Sequence, residues 1–318
     1  MTEPVIVAEI VRNDFVEGHH YGSVVVTAPD GTVEWSVGVV DRPMFPRSSN
    51  KPMQALGMLR LGLQLEGRLL ALAGASHSGE QIHLDGVREI LASVDLNESA
   101  LQTPPAYPVD DETRDEWVRA GGVKDPITMN CSGKHAAMLA TAATNGWDLT
   151  TYRDADHPVQ QGIRTAIEDS AGEKVAAVAI DGCGAPLLAI SLAGLARSFG
   201  LFAAAAPDSH EGRIADAFRA FPEYASGTRR DEAELMRAVP GLFCKVGAEA
   251  VYAVGLPDGR GIALKIDDGG VRARKVVMAA TLQRLGISNP VIESQLREPL
   301  LGGGKPVGSV HAVGSVRG

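Results

Sequence analysis

Residues 23–38 read SVVVTAPDGTVEWSVG, which is two β-branched, partly alternating runs joined by Pro29-Asp30-Gly31. Alternation around such a turn predicts an antiparallel hairpin near the start of the chain. The pattern returns near the end, where residues 248–255 and 261–266 flank Pro257-Asp258-Gly259. Because a two-stranded hairpin is marginal alone, we expect the two hairpins to pair in one mainly antiparallel sheet covered by helices.

The middle of the chain predicts helices that begin near a proline and stop at a glycine. Three such segments cover residues 134–146, 158–172 and 186–200, and a final amphipathic segment covers residues 271–285. The sequence therefore predicts the α/β (α+β) class, with sheet strands from both ends and a helical middle region. We expect one catalytic domain over residues 1–318.

Composition excludes several classes of function. The chain has 318 residues, 45% of them hydrophobic, so a large core needs no disulfide support. Its three cysteines are typical of reduced thiols in a cytosolic protein, and its N-terminus lacks the pattern of a signal peptide. A net charge of -9 without a basic stripe disfavours nucleic acid, and no apolar run is long enough for a membrane. We expect a cytoplasmic location.

Residues 46–54, PRSSNKPMQ, stand where a helix is expected to begin, because Pro52 is tolerated only in a first turn. Ser48 and Lys51 are three residues apart and would share one helix face, close enough for the amine to take the hydroxyl proton. The amine must first lose its own proton, which burial favours. The spacing indicates a lysine-activated serine.

The same four residues also fit a simple helix cap, with Ser48 or Ser49 as the cap and Lys51 in solvent. Ser-x-x-Lys is, however, the nucleophile motif of class A β-lactamases and penicillin-binding proteins. Arg47, immediately before the serine, supplies a cation suited to a substrate carboxylate. These flanking residues favour an enzyme.

Enzymes with that motif also need a polar loop containing serine and a lysine on a late strand. Ser76-His77-Ser78-Gly79-Glu80 follows an apolar segment, and Lys265 lies in the apolar run at residues 262–266. A charged lysine among apolar neighbours is costly unless it has a partner or lies at a site. Strand alternation equally permits Lys265 to face solvent.

Two cysteines lie in loops, where functional groups collect. Cys131 opens an Ala-rich helix, and Cys183 stands between an apolar strand and the next helix. From the residues alone three interpretations remain open: buried structural thiols, metal ligands in an unusual spacing, or a cysteine nucleophile that uses His135 or His77.

In combination these motifs resemble the class 3, or rhizobial-type, L-asparaginases. The matching stretches are PRSSNKPMQ at 46–54, SHSGE at 76–80, NCSGKH at 130–135, DGCGAP at 181–186 and KVGAE at 245–249. The resemblance implies a fold like the serine β-lactamases and the serine-dependent glutaminases, assembled as a homodimer. It also implies hydrolysis of L-asparagine to L-aspartate and ammonia.

The resemblance gives roles to individual residues of this chain. It implies that Ser48 is the nucleophile, that Lys51 is its base, and that Ser76 and Lys265 form a second serine–lysine pair. The position of Arg47 beside Ser48, and not the resemblance, predicts that it binds the substrate.

The resemblance further implies a zinc ion, bound by Cys131, Lys134, Cys183 and a water, which aids substrate binding more than chemistry. Asp181 would orient the substrate beside this site. The chain departs from the family in having Ala253 where a further cysteine is expected.

Two rival functions follow from the same residues. One is a glutaminase or another serine amidase, including one that acts on β-lactams, since one methylene changes binding by only ~1–3 kcal/mol. The other is a non-catalytic zinc-dependent amino-acid sensor, which would use the cysteine loops and Arg47 for recognition alone.

Overall fold

The structure, a computed structural model, describes residues 5–317. Its strands are β1 (Val5–Arg12), β2 (Phe15–Thr27), β3 (Val33–Val37), β4 (Pro43–Met44), β5 (Ala177–Ile180), β6 (Pro186–Ser191), β7 (Phe243–Gly247), β8 (Val251–Gly255), β9 (Gly261–Ile266), β10 (Arg297–Gly302) and β11 (Lys305–Ala312). Its helices are α1 (Lys51–Arg60), α2 (Gly67–Ala73), α3 (Gln81–Ala92), α4 (Asp111–Arg119), α5 (Ser132–Thr144), α6 (Pro158–Ala171), α7 (Leu192–Ala204), α8 (His210–Ala220), α9 (Pro222–Ala225), α10 (Asp231–Ala238), α11 (Val271–Arg284) and α12 (Pro290–Gln295). Among the described residues, no helix combines the length and apolarity needed to cross a bilayer.

The chain divides into two compact units. Among the described residues, the first contains residues 5–49, Ile190–Ala204 and residues 234–317, and the second contains Asn50–Ala189 and Ala205–Ala233. The expectation of one catalytic domain over residues 1–318 stays a prediction.

The first unit is built on an antiparallel sheet with the order β10-β11-β1-β2-β9-β8-β7, and β3 also pairs with β2. The β2–β9 register sets Ser23 opposite Lys265 and Val25 opposite Ala263. This pairing joins the two hairpins that the sequence predicts, so the mainly antiparallel sheet from both ends of the chain is confirmed.

Helix α7 packs closely on β2, β8 and β9 of this sheet. Gly261 makes the close approach possible, since a Cβ there would lie 1.8 Å from Ala196 O. Phe199 of α7 stacks on Phe243 of β7, with ring centroids 4.9 Å apart. On the same sheet, α11 contacts β1, β9 and β11.

The second unit is mainly helical, as the sequence predicts for the middle of the chain. Helix α1 packs on α5, α6 and α8, and α2 packs on α3, α5, α8 and α9. A short hairpin of β5 with the first part of β6 sets Ala177 opposite Ala189 and Ile180 opposite Pro186.

The helix expected over residues 186–200 is partly wrong, because residues 186–191 form strand β6 and the helix begins only at Leu192. The run Pro186-Leu-Leu-Ala-Ile-Ser is buried almost throughout, and a short apolar run has no period that separates strand from helix. Pro186 therefore begins a strand and not a helix.

Candidate active site

Lys51 is the first residue of α1 and is buried, with 1% of its surface exposed. Its Nζ donates to Ala75 O at 2.6 Å, to Ser76 Oγ at 2.8 Å and to Cys131 Sγ at 3.1 Å. Three N–H donors thus meet three acceptors, which a buried ammonium requires. The second unit brings three separate motifs of the sequence to this one amine.

His77 links the two loops that supply the serine and the thiol. Its backbone N–H donates to Asn130 O at 3.0 Å, and its Nε2 lies 2.8 Å from Ser132 Oγ. His77 directly follows Ser76, and its partners Asn130 and Ser132 stand on either side of Cys131. Ser76 and Cys131 are both acceptors of Lys51. The spacing of the two acceptors therefore depends on His77.

The hydrogen bonds of Ser132 determine which nitrogen of His77 carries the proton. The single hydroxyl proton of Ser132 goes to Ile127 O at 2.7 Å, so Nε2–H of His77 donates to Ser132 Oγ. Burial, together with the nearby His83 and Lys51, lowers the pKa of His77 well below its ordinary value. The ring is therefore neutral near pH 7 and serves as a fixed donor.

A second cluster joins the two loop cysteines. Cys131 and Cys183 are buried in contact with each other, and Cys183 Sγ accepts from Lys134 Nζ at 3.2 Å. Asp181 Oδ2 lies 3.7 Å from the same sulfur. Hydrogen bonding with Cys183 lowers the pKa of Cys131, and Lys51 and Lys134 add to this effect. Burial by itself would lower the pKa of Lys134, but Cys183, Cys131 and Asp181 outweigh it and raise that pKa.

The two sulfurs and the amine of this cluster fit a zinc ion if the amine is neutral. Thiolate sulfur and neutral nitrogen are groups that zinc binds, and two sulfurs and one amine converge here. Over residues 5–317, no three His, Cys, Asp or Glu side chains are grouped to hold a metal. A zinc ion would therefore need Lys134 as its third protein ligand, and that amine would have to lose its proton on binding.

His135 directly follows Lys134 in α5 and borders the same cluster. Its Nδ1 lies 2.7 Å from the hydroxyl of Tyr152, which accepts from the Gln102 N–H at 3.2 Å. The Tyr152 proton is thus available to Nδ1, and the Nε2 of His135 is left as the donor of the ring. Burial lowers the pKa of His135 to about 4, although Cys183 opposes the shift.

Ser48 lies in the first unit, in a single 3-10 turn over Arg47–Asn50. Arg47 has φ +52, a left-handed conformation that a side chain with Cβ rarely adopts. The Arg47 guanidinium lies 3.6 Å from the Glu249 carboxylate, and Glu249 has φ +57. Strain of this kind collects at functional sites, where the surrounding structure must hold it.

The turn that carries Ser48 lies against the end of β7. Ser49 Oγ donates to Pro46 O at 2.6 Å, so this hydroxyl closes the turn. The cap residue of α1 is Asn50, without a side-chain capping bond. A Cβ on Gly247 would lie 2.6 Å from Pro46 O and 3.1 Å from Ser49 N. Only glycine at position 247 lets the strand approach this closely.

Lys265 of β9 is half-buried and lies in the first unit beside a pocket of about 220 Å³. Ser23, Arg42 and Asp267 supply polar groups to the same pocket. Burial lowers the pKa of Lys265, opposed by Asp267 and Glu249. Its amine donates to Ile266 O. Lys265 is therefore neither a core residue nor a fully solvated one.

The predicted residues fall into two sets. Direct contacts join six of them within the second unit: Lys51, Ser76, Cys131, Lys134, Asp181 and Cys183. The other three, Arg47, Ser48 and Lys265, belong to the first unit. Each predicted serine–lysine pair has one member in either unit, and both pairs stay predictions.

Two relationships escaped the sequence reasoning. The contact of Lys51 with Cys131 spans 80 positions of the chain, and no local sequence pattern predicts it. The His77–Ser132 hydrogen bond spans 55 positions. All four residues lie inside the motifs quoted above, but membership of a motif does not reveal a partner in another motif.

Comparison with known proteins decides the family. The model of the family described as L-asparaginase II matches residues 8–312, which is nearly the whole chain. The chain belongs to the L-asparaginase II family. This member of the family is accordingly an amidohydrolase. The curated proteins contain no match to it.

Solved structures resemble this L-asparaginase II family member weakly. A β-lactamase from Mycobacterium bovis has 13% identity over 78% of this chain and 88% of its own, with a TM-score of 0.41. A putative β-lactamase from Bacteroides dorei has 14% identity over 77% and 84%, with a TM-score of 0.42. A probable glutaminase from Bacillus subtilis has 13% identity over 84% of both chains, with a TM-score of 0.39. Likeness of this degree carries no information on substrate or mechanism.

Proposed function

We propose that this amidohydrolase is an L-asparaginase that converts L-asparagine and water to L-aspartate and ammonia. Membership of the L-asparaginase II family supports the substrate class. The buried amine of Lys51, 2.8 Å from the hydroxyl of Ser76, supports serine–lysine chemistry. A buried amine enclosed by polar acceptors is typical of a proton-transfer site, and this enclosure carries the proposal.

In the proposed reaction, neutral Lys51 takes the hydroxyl proton of Ser48, and the oxygen attacks the side-chain amide carbon of asparagine. The C–N bond then breaks, and the proton from Lys51 passes to the leaving nitrogen, which departs as ammonia. Water hydrolyses the resulting ester and releases aspartate. Backbone N–H groups at the start of α1 would stabilise the oxyanion.

The remaining predicted residues would position the substrate or relay protons. Ser76, already hydrogen-bonded to Lys51, would pass protons between that amine and the leaving group, with Lys265 as the second amine of the relay. Arg47 would bind the substrate carboxylate, since a guanidinium pairs with both oxygens. Asp181 would accept from the substrate ammonium.

Cys131, Lys134 and Cys183 would hold the zinc ion. The metal would supply a fixed positive charge for binding the carboxylate or the amine of the amino acid. Lys51 donates to Cys131 Sγ, so this thiol would also help to position the base.

Ammonia release measured side by side with asparagine, glutamine and a chromogenic β-lactam tests the substrate. We expect asparagine to be consumed fastest. Faster turnover of glutamine or the lactam would replace the asparaginase with the corresponding amidase. Calorimetric binding of asparagine without any turnover would indicate a sensor.

The matched pair S48A and S49A tests the nucleophile. S48A is expected to abolish turnover, whereas S49A removes a hydroxyl that closes the turn and should retain most of it. Retained activity in folded S48A would exclude Ser48.

The proposal also includes the homodimer that the family resemblance implies and the cytoplasmic location that the composition predicts. Free thiols at Cys131, Cys183 and Cys244 support a reducing compartment. Light scattering at micromolar concentration and fractionation of the native host would test these two points.

A further inference from the structure

Strand β5 is unusually exposed for an apolar strand. Its sequence is Ala177-Val178-Ala179-Ile180, with no charged residue, proline or glycine. Ile180 is 81% exposed and Val178 46% exposed. Natural edge strands are normally protected by charge, proline or a bulge, because an unprotected edge pairs with another chain. Exposure of this strand indicates that something covers it.

The register of the β5–β6 hairpin shows which backbone groups remain available. Asp181 N donates to Ala185 O at 2.9 Å, so residues 181 and 185 form a hydrogen-bonded pair. Hydrogen-bonded and non-hydrogen-bonded pairs alternate along an antiparallel ladder, so Ala179 also bonds toward β6. The N–H and C=O groups of Val178 and Ile180 therefore point to the other edge.

We propose that β5 pairs in antiparallel fashion with β5 of a second copy of this chain, about a two-fold axis at Ala179. In this register Val178 of one copy faces Ile180 of the other, twice, and the outward backbone groups form four hydrogen bonds. The proposal goes beyond the homodimer already proposed, because it assigns the surface and the register.

The side chains of this edge are self-complementary in that register. Val178 and Ile180 would form two apolar cross-strand pairs, which stabilise a sheet. A groove of about 510 Å³ borders the strand and is lined by Asp154, Asp156 and Gly184 among others.

The length of the edge also favours a second copy as the occupant, because a two-fold axis at Ala179 pairs residue 177 with residue 181 and so matches the whole exposed edge with itself. The chain turns back over residues 181–184, because Asp181 N donates to Ala185 O and Gly184 N to Asp181 O, so the pairing about Ala179 is limited to residues 177–181 of each copy.

Disulfide crosslinking tests the register directly. At a non-hydrogen-bonded antiparallel pair the Cα atoms are ~4.5 Å apart, within the range of a disulfide. The A179C variant, incubated with oxidised glutathione, is therefore expected to form a covalent dimer on non-reducing gels. A177C is the matched control, because two copies of residue 177 would lie ~13 Å apart along the strands. The native cysteines are buried and add little background.

The I180K variant supplies a second readout, and its circular dichroism reports on the fold. Ile180 is largely exposed, so we expect I180K to fold and to shift the light-scattering mass from dimer to monomer. Equal crosslinking of A177C and A179C would overturn the register. A dimer that survives in folded I180K, or a wild-type chain that is monomeric at micromolar concentration, would overturn the surface.

Discussion

Lys51 Nζ donates to Ser76 Oγ across 2.8 Å and to Cys131 Sγ across 3.1 Å. One buried amine thus connects the serine loop with the thiol of the candidate metal site. A change on either side should alter the other through this lysine.

Removing the amine of Lys51 should remove turnover. K51M keeps a similar side-chain length without a base, so kcat for asparagine is expected to fall by about 10²–10⁴-fold. K51R is the control that keeps the charge but cannot act as a base, and it should fall as far. Steady-state ammonia release measures both. A K51M enzyme with more than a tenth of wild-type kcat would rule out Lys51 as the base.

The two cysteines should differ in what they support. Both C131A and C183A are expected to lower zinc content, measured by mass spectrometry of the purified metal-loaded protein, because each removes one sulfur ligand. C131A should also lower kcat more, since it removes an acceptor of Lys51. Equal zinc in both variants and the wild type would contradict the metal site.

His77 should support turnover through the N–H group that it donates to Ser132 and not through a positive charge. H77Q keeps an N–H that can reach Ser132, whereas H77L leaves the buried Ser132 acceptor unmet. We expect H77L to lose kcat by about tenfold and H77Q to lose less. Because the pKa of His77 is lowered by burial, the pH profile of H77Q should match the wild type. A pH profile that shifts in both H77Q and H77L would indicate a titrating histidine and would contradict this account.

Gly247 should be intolerant of a single methyl group. In G247A the new Cβ would meet Pro46 O at 2.6 Å, so the backbone of the Ser48 turn must shift. We expect a stability loss of about 1–3 kcal/mol in urea unfolding, with a loss of kcat. G255A, on β8 against α7, crowds the Phe199 carbonyl and tests packing away from the turn. If kcat falls no more in G247A than in G255A, the contact of Gly247 with the Ser48 turn does not affect catalysis.

Asp110 should contribute stability that disappears in acid. The Arg229 guanidinium and the Thr113 N–H hold its pKa at about 2, below the ordinary value of an aspartate. A lowered pKa gives stability that is present above pH ~4 and is lost as pH falls toward 2. D110N should therefore be less stable than the wild type by about 1 kcal/mol near pH 6, with the gap closing below pH 4. Urea unfolding across pH measures it, and a constant gap would contradict the ion pair.

The sheet was predictable from local patterns, but its full width was not. The turns at Pro29-Asp30-Gly31 and Pro257-Asp258-Gly259 predicted hairpins, and β2 does pair with β9. The strands over residues 5–20 and 297–312 were not predicted, although Gly303-Gly304 between β10 and β11 is a two-residue hairpin signal. Their place in the sheet follows from pairing between the two ends of the chain, which local pattern does not encode.

The sequence predicted which residues belong to the site better than it predicted which of them contact each other. Motif resemblance selected Lys51, Ser76 and Cys131, but it paired Lys51 with Ser48 and treated the cysteines as a separate loop. Contacts over 25 and 80 positions depend on how α1, the Ser76 loop and α5 pack, and packing is a property of the whole unit. The strained φ of Arg47 likewise had no sequence signal.

The most direct test is to trap the covalent intermediate during turnover of asparagine. Acid quenching within the first turnovers, followed by peptide mass mapping, should find an aspartyl ester on the peptide that contains Ser48. K51M should show no such adduct. An ester on Ser76 or on a cysteine, or rapid turnover without any adduct in either the wild type or S48A, would contradict the proposed mechanism.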